Sequence, residues 1–480
     1  MAGIELPGSD GVSARRQRNI ALLVAGTFFM EILDGTILTT AAPQIGRAFG
    51  VASVDVGVAI TAYLLTLAVL IPLSGWITAR FGARRVFLTA IAVFTVASIL
   101  CAASPSLLLL TLSRVLQGAG GAMMVPVGRL AVLRVTAKGD LIRAIALLTW
   151  PALAAPVIAP LAGGLITTYT SWHWIFLINV PLGIVAFFAA RVLVPGEEPV
   201  SPPALDWAGL WLSCSALGSL ILAASLLSAP VPDWPALLAL ASAGAALGGL
   251  AVRHLRRARH PLLDLDALRI ETFRVAHAGG WMFRLTISAV PFLLPLLFQD
   301  AFGWSPVLAG SLVLALFAGN MAIKPVTTPL LRRFGFRRVL LSATTGAALS
   351  MALAALLTVE TPVVIIVVLM VFSGVVRSVG FTGYNTIAFA DVGRGQMTAA
   401  NTLASTLQQL AAGFGIACGA IALRAGSALV GADALGALGA GSEAFRIAFL
   451  LLALLTVPAV VEAWRLSPGA GENIRPSRQA

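Results

Sequence analysis

A basic nine-residue segment occurs twice in this chain, 253 positions apart. Arg80-Phe81-Gly82-Ala83-Arg84-Arg85-Val86-Phe87-Leu88 returns as Arg333-Phe334-Gly335-Phe336-Arg337-Arg338-Val339-Leu340-Leu341, with seven identities. Each copy is a short basic turn between two long apolar runs. A turn repeated at so long an offset implies two copies of one membrane bundle. Duplicated bundles are a common way to build a site reached alternately from each side of a bilayer.

Composition places the chain in the membrane. Hydrophobic residues make up 59% and charged residues 11%, against about 25% charged in soluble domains, and the mean hydropathy is +0.94. The net charge of +12 does not mark a nucleic-acid binder, because the arginines sit in short loops between apolar runs. All the basic residues except Lys138 and Lys324 are arginine. Cys101, Cys214 and Cys418 lie inside apolar runs and give neither a disulfide framework nor metal-ligand spacing. Near the start, Arg15, Arg16 and Arg18 precede an apolar stretch that continues to about Ala42 and contains Glu31 and Asp34. Signal-peptide cores are shorter, ~7–15 residues, so this stretch reads as a retained first span.

A helical span needs about 20 predominantly apolar residues. Fourteen stretches qualify: 19–43, 54–78, 85–105, 106–129, 141–168, 173–195, 206–229, 235–253, 273–298, 305–330, 338–359, 361–389, 396–424 and 444–464. The short alternating segments of a closed barrel are absent, so the expected fold is all-α. With the N-terminus in the cytoplasm, 25 of the 32 basic residues fall on the cytoplasmic side; Arg47, Arg424 and Arg446 lie opposite, and Arg114, Arg284, Lys324 and Arg377 lie within spans. That bias supports an even number of crossings with both termini inside. The expected organisation is a six-helix bundle over 1–200, two additional helices and a cytoplasmic connector over 201–272, and a second six-helix bundle over 273–480. The two bundles are parallel repeats about an axis along the membrane normal.

Ionisable groups deep in a span are functional candidates by default. Glu31 and Asp34 are the two acids so placed, three residues apart and therefore on one helical face. Burial and a neighbouring like charge both favour a carboxyl that holds its proton, so this pair is a candidate for proton exchange; a fixed structural ion pair is the alternative. The repeat offset carries Glu31 onto Arg284, which makes these two candidates to face one shared cavity. Arg114, followed by Gln117 and Gly118, is a candidate counter-charge for Asp34. Arg377 sits mid-span ahead of Tyr384 and Asn385. Lys324 either faces a site or snorkels to the interface. Trp281, Phe283, Phe381 and Tyr384 neighbour these charges and either line a site or pack against helices. Gln117, Trp281, Arg284, Arg377, Phe381, Tyr384 and Asn385 are the candidate cavity residues.

Enzymatic signatures are missing. Neither lysine follows a glycine as a P-loop requires, there is no His-Glu-x-x-His or Gly-x-Ser-x-Gly pattern, and His173, His254, His260 and His277 are scattered. The group Gly118-Ala119-Gly120-Gly121 lies in a span and suits close helix packing better than a phosphate cradle. No catalytic residue, metal or cofactor is expected.

Several segments resemble the major facilitator superfamily, and within it the fourteen-helix drug:proton antiporters of the DHA2 family. Leu33-Asp34-Gly35-Thr36-Ile37, continuing to Ala42-Pro43, resembles that branch's first-helix motif. Gly75 through Arg85 resembles the superfamily's loop motif, and Arg114-Val115-Leu116-Gln117-Gly118 its fourth-helix motif. Pro156 with Pro160-Leu161-Ala162-Gly163-Gly164 resembles the fifth-helix antiporter motif. Trp172-His173-Trp174-Ile175-Phe176-Leu177-Ile178-Asn179-Val180-Pro181 and Phe292-Leu293-Leu294-Pro295-Leu296-Leu297-Phe298-Gln299 resemble the branch's sixth and ninth helices. The resemblance covers nearly the whole chain.

It implies proton coupling through Asp34, Glu31 and Arg114, and a kinked fifth helix at Pro156, Pro160, Gly163 and Gly164. It also implies gating loops that contain Gly75, Arg80, Gly82, Arg84 and Arg85 and, in the second copy, Arg333, Gly335, Arg337 and Arg338. Two positions depart from the pattern: Ala79 stands where the loop motif has aspartate, and Ala159 where the antiporter motif has glycine. The implied function is proton-coupled export of small amphipathic compounds across the cytoplasmic membrane, with protons, the substrate and the bilayer as partners and no nucleic acid. A monomer is expected, and the sequence names no periplasmic adaptor. The alternatives are an importer of an organic anion and a non-transporting sensor or lipid-handling scaffold.

Overall fold

The computed structural model describes residues 14–136, 141–196, 204–227, 233–259, 261–393, 396–430 and 442–467; Lys138 and His260 lie outside them. Among the described residues there are helices and no strands. The helices of the first half are α1 (Ala14–Phe49), α2 (Gly57–Leu70), α3 (Leu73–Phe81), α4 (Ala83–Ala102), α5 (Leu107–Val135), α6 (Leu141–Tyr169), α7 (His173–Leu177) and α8 (Asn179–Leu193). Two more follow, α9 (Trp207–Leu227) and α10 (Trp234–Leu255). The second half holds α11 (Glu271–Leu296), α12 (Pro306–Ala322), α13 (Lys324–Phe334), α14 (Phe336–Ala354), α15 (Val363–Ala388), α16 (Met397–Leu429) and α17 (Ser442–Arg465). Helices satisfy their own backbone groups, which a hydrocarbon environment demands.

Each of the fourteen expected stretches holds a helix, but not each is one straight crossing. Among the described residues eleven helices qualify by length and composition, or twelve if the bent pair α12–α13 counts as one span. The stretch 54–78 divides into α2 and α3 at Ile71-Pro72, where proline removes a backbone donor and disfavours helix in the residue before it. Its repeat divides in the same region: α12 and α13 meet at 49° beside Pro325.

The duplication is written in the backbone. Among the described residues four glycines have positive φ: Gly50 at 67°, Gly82 at 83°, Gly303 at 68° and Gly335 at 82°. They form two pairs at the repeat offset. Gly50 and Gly303 each follow a phenylalanine at a helix end, and Gly82 and Gly335 each sit at the basic turn. A side chain there would be strained by about 1–3 kcal/mol. The shared offset at both places means that no net insertion separates the end of the first helix from the basic turn in either copy; between Arg284 and Gly303, however, the second copy has a π-helical segment, Leu297–Ala301, that α1 lacks.

Packing follows the halves. α1 packs on α6, α5 and α8, with α4 against α5 and α8 and α2 against α5. In the second half α11 packs on α16, α17 and α15, and α14 on α15 and α17. The halves meet where α6 lies on α12 and α16 on α2. There the backbones touch: an added methyl at Gly164 would run into the Pro306 carbonyl, and one at Gly310 into that of Pro160. α9 and α10 pack chiefly on each other, with α9 against α2. Asp206 fixes the start of α9, accepting from the backbone N–H of Gly209 at 2.8 Å and of Leu262 at 3.1 Å, and pairing with His254 at 2.7 Å. Burial alone would raise the Asp206 carboxyl, but these bonds outweigh it and hold it below the usual carboxylate range.

Polar bonds between the halves gather at the end opposite the basic turns. Arg424 of α16 pairs with Asp55, which lies in the short turn before α2. Gln299 donates to the Thr40 carbonyl at 2.9 Å, and Thr61 to the Gly413 carbonyl at 3.3 Å. Asp300 is hydrogen-bonded to Ser53 with Arg47 nearby. This end is therefore shut, and the Asp55–Arg424 pair latches it. Removing one partner of a buried pair typically costs about 3–5 kcal/mol, enough to move a balanced equilibrium more than tenfold. Asp55→Asn is expected to raise alkylation of a cysteine introduced at Thr40 several-fold; unchanged alkylation would show that the other contacts hold this end closed alone.

Candidate functional site

α1 places Glu31 and Asp34 on one face, three residues apart, toward α2 and α5. α5 places Arg114 and Gln117 on a matching face at the same spacing. The two faces lock together. Arg114 pairs with Asp34, both side chains fully buried, and also donates to Gln117 Oε1 at 2.6 Å. Gln117 Nε2 donates to Asp34 Oδ1 at 3.0 Å and to the Ser98 hydroxyl at 2.8 Å. Asn179, the first residue of α8, donates to Asp34 Oδ1 at 2.7 Å. The Arg114 guanidinium lies 4.0 Å from the centre of the Tyr63 ring. Asp34 thus has three donors drawn from α5 and α8, one of them its counter-ion Arg114, and α4 supplies Ser98 behind them.

Glu31 is placed differently. Its side chain runs beside Gly121 and Tyr63, and a β-carbon on Gly121 would stand 3.5 Å from it. The residue is 7% exposed against 1% for Asp34. Among the described residues no donor and no cation pairs with its carboxyl. One turn of helix therefore carries a satisfied carboxylate and a bare one. Burying a bare carboxyl is far cheaper with its proton on.

A cavity of about 240 Å³ lies between the halves where α6 and α12 part. Pro156 and Val157 of α6 form one wall, facing Phe317, Asn320, Met321 and Lys324 across α12–α13 and Arg377, Phe381, Thr382 and Asn385 on α15. Three of the expected cavity residues, Arg377, Phe381 and Asn385, are thus brought together. Arg284 stands behind them: it is 2% exposed and donates to Asn385 Oδ1 at 2.6 Å and to the Ala276 carbonyl at 3.1 Å. It turns into its own half, and among the described residues no bond joins it to Glu31. The remaining expected residues sit elsewhere. Gln117 belongs to the Asp34 network. Tyr384 is 1% exposed and packs on Phe283. Trp281 lies against Phe414 of α16, with ring centres 6.3 Å apart.

The basic turns are alike in both copies. Arg80 and Arg333 are exposed, Gly82 and Gly335 buried, Arg84 and Arg337 half-buried, Arg85 and Arg338 exposed. Arg84 donates to the Arg191 carbonyl in the last turn of α8, a favourable place for a cation against the helix dipole. Gly75, by contrast, has open space around it. In α6, Gly163 lets the helix lie against Ile37 of α1, and Gly164 against Pro306, while Pro156 and Pro160 sit inside the helix.

Asp55, Tyr63, Ser98 and Asn179, and in the cavity Val157, Phe317, Asn320, Met321 and Thr382, are site residues that sequence reasoning did not single out. Asn179 carried a signal, being a buried amide at the start of an apolar run. Asp55 carried none, because its partner is 369 residues away.

Comparison with known proteins bears on the family and the fold. The family model for the Major Facilitator Superfamily matches residues 24–416 and 276–479. The provisionally named multidrug resistance protein MdtD of Salmonella paratyphi A is 33% identical over 462 residues, spanning 95% of this chain and 96% of its own. The MdtD protein of Escherichia coli strain 55989 is 33% identical over 463 residues with the same coverage. Among solved structures, a POT family transporter in complex with 5-aminolevulinic acid superposes with a TM-score of 0.69 at 14% identity, covering 95% of this chain and 97% of that one; this likeness concerns the fold.

The Asp34–Arg114 network yields a test by double substitution. Arg114→Gln strands Asp34 in the apolar interior and is expected to destabilise the protein by about 3–5 kcal/mol, seen as a lower unfolding midpoint in detergent. Adding Asp34→Asn removes the stranded charge and should recover much of that loss. A double variant no more stable than Arg114→Gln alone would mean that the two residues do not answer each other's charge.

Proposed function

The chain belongs to the major facilitator superfamily, and from that premise we propose that it is a proton-coupled exporter of small amphipathic compounds working by alternating access. Membership makes it a membrane transporter and not an enzyme. Its relatives carry a multidrug resistance name, which supports outward transport of assorted small molecules. We take residues 1–200 and 273–480 as the two moving bundles and 201–272 as the additional helices and connector, within fourteen crossings. The basic turns face the cytoplasm by the positive-inside bias, and both termini lie there, in a multi-pass protein of the cytoplasmic membrane. We take the protein as a monomer.

On this assignment the latched end is external and the structure is the inward-facing state. The observation that carries the reading is the carboxyl pair of α1. Asp34 and Arg114 are fixed to each other, while Glu31 stands one turn nearer the cytoplasm without a partner. A proton taken up from outside neutralises Asp34 and frees Arg114, whose Nε and Nη2 have no acceptor here. Passage to Glu31 and release inward restores the Asp34–Arg114 pair. That pair can form only after the proton has left Asp34, so closing the outer end follows proton movement. The same cycle carries substrate out from the cavity beside Pro156. Ala79, half-buried in α3, leaves the cytoplasmic closure without the aspartate common to related loops, so Arg80, Arg84 and Arg85 must close that side with other partners.

The test is transport driven by a pH gradient in proteoliposomes. Wild-type protein is expected to move substrate against its concentration gradient when protons flow the other way, and Asp34→Asn, scored per molecule of protein that remains folded in detergent, should lose that coupling. Gradient-driven transport by Asp34→Asn at the wild-type rate would remove Asp34 from the coupling pathway, and no gradient-driven transport by wild type for any compound in a broad screen would refute proton-coupled export.

A further inference from the structure

Among the described residues the cavity between the halves is lined by donors, ring faces and the apolar Pro156, Val157 and Met321, and by no acid. Its two charges, Lys324 and Arg377, are both positive. Arg377 Nη1 donates to the Ile287 carbonyl at 2.7 Å, and its Nε is buried with no partner. Phe317 and Phe381 flank the guanidinium, their ring centres 5.7 and 5.6 Å from its carbon. Asn385 has given its carbonyl oxygen to Arg284, so what it still offers the cavity is its amide hydrogens. Behind it Arg284 adds a third positive charge.

Among the described residues none of these three cations pairs with a carboxylate. Glu462, which lies against Gly279, and Asp391, just beyond α15, do not line the cavity. In the first half the corresponding problem is solved internally, because Arg114 has Asp34. Ionisable groups inside a membrane protein are costly to keep unless they pair or serve a passing ligand. The second half keeps cations and supplies no counter-ion.

Resting on the exporter reading, we infer that the counter-ion is the substrate: the cavity takes an amphipathic organic anion. Its acidic head, a carboxylate or sulfonate, sits on Arg377 and Lys324 with the Asn385 amide, and its ring system lies along the cavity against Phe381, Met321 and Val157. Guanidinium suits such a head because it is planar, always charged and rich in donors. The cavity, at about 240 Å³, falls just below the ~300–1,000 Å³ of common ligand pockets, which favours compounds of one or two rings. A cationic amphiphile of the same size meets two like charges and no acid.

Two probes with one ring system and opposite fixed charges test this: naphthalene-2-sulfonate and 2-naphthyltrimethylammonium. Binding to the purified full-length protein is measured by calorimetry. The sulfonate is expected to bind at least tenfold more tightly than the ammonium compound. Arg377→Gln should weaken the sulfonate at least tenfold without weakening the ammonium compound, and Arg377→Lys should keep part of the affinity. Equal or tighter binding of the ammonium compound by wild type overturns the inference without any variant. So does wild-type sulfonate affinity in an Arg377→Gln protein that melts like wild type, since Arg377 would then serve only to hold the Ile287 carbonyl. Transport in proteoliposomes separates this inference from the reading it rests on. A sulfonate that binds as expected yet is not driven by a pH gradient upholds the substrate class and counts against proton-coupled export. Gradient-driven movement of the ammonium compound but not of the sulfonate overturns the substrate class and leaves export standing.

Discussion

Asp34 and Arg114 answer each other's charge in the interior of the first half, and much of the arrangement around them follows. A buried carboxylate tolerates the interior of a membrane protein only with a counter-ion and enough donors. α5 brings the cation and an amide, α8 brings a second amide, and α4 brings a hydroxyl that holds the first amide in place. α1, α4, α5 and α8 are thereby fixed in rotation as well as in position. Because the pair is complete, Glu31 has no partner among the described residues, which is the ground for proposing it as the group that exchanges.

The second half inherits the fold but not this solution. The glycines that end the first helix and turn the basic hairpin are kept at the same offset, with φ values within 1° of their counterparts. The charges are not kept. The position of Asp34 becomes Ile287, whose carbonyl accepts from Arg377, and that of Glu31 becomes Arg284. A duplicated bundle has in this way divided its chemistry, with acids and their cation on one side of the central axis and unanswered cations on the other. If one proton enters for each monovalent anion that leaves, two elementary charges cross per cycle. Each is worth about 2.3 kcal/mol per 100 mV, so the membrane potential would drive such an exchange along with the pH gradient.

Some of this was legible in the sequence. The basic turns, their offset and the apolar runs announce a duplicated helical bundle, because bilayer thickness and backbone hydrogen bonding leave few other arrangements. Asp34 and Arg114 could be matched as opposite charges in neighbouring spans. What sequence did not show was set by helix rotation and by conformational state. Arg284 stands at the repeat offset from Glu31 but turns to Asn385, since a depth along a helix does not fix a direction around it. Tyr384 and Gln117, read as cavity residues, are taken up by Phe283 and by the Asp34 network. The Asp55–Arg424 pair joins residues of two different halves, 369 positions apart, so no local pattern marks it. The break at Ile71-Pro72 was visible as a proline, but the apolar run on both sides concealed that the span is two helices.

The division of labour is tested most directly by Glu31→Gln in proteoliposomes, with any substrate that wild type concentrates. Two rates are compared: exchange of labelled for unlabelled substrate with no pH gradient, and concentration of substrate under one. Exchange is expected near the wild-type rate, because the cavity on α6, α12, α13 and α15 is intact, together with loss of concentration, because the exchanging proton has no carrier. Concentration at the wild-type level by Glu31→Gln would instead place the proton on some other group and remove Glu31 from the cycle.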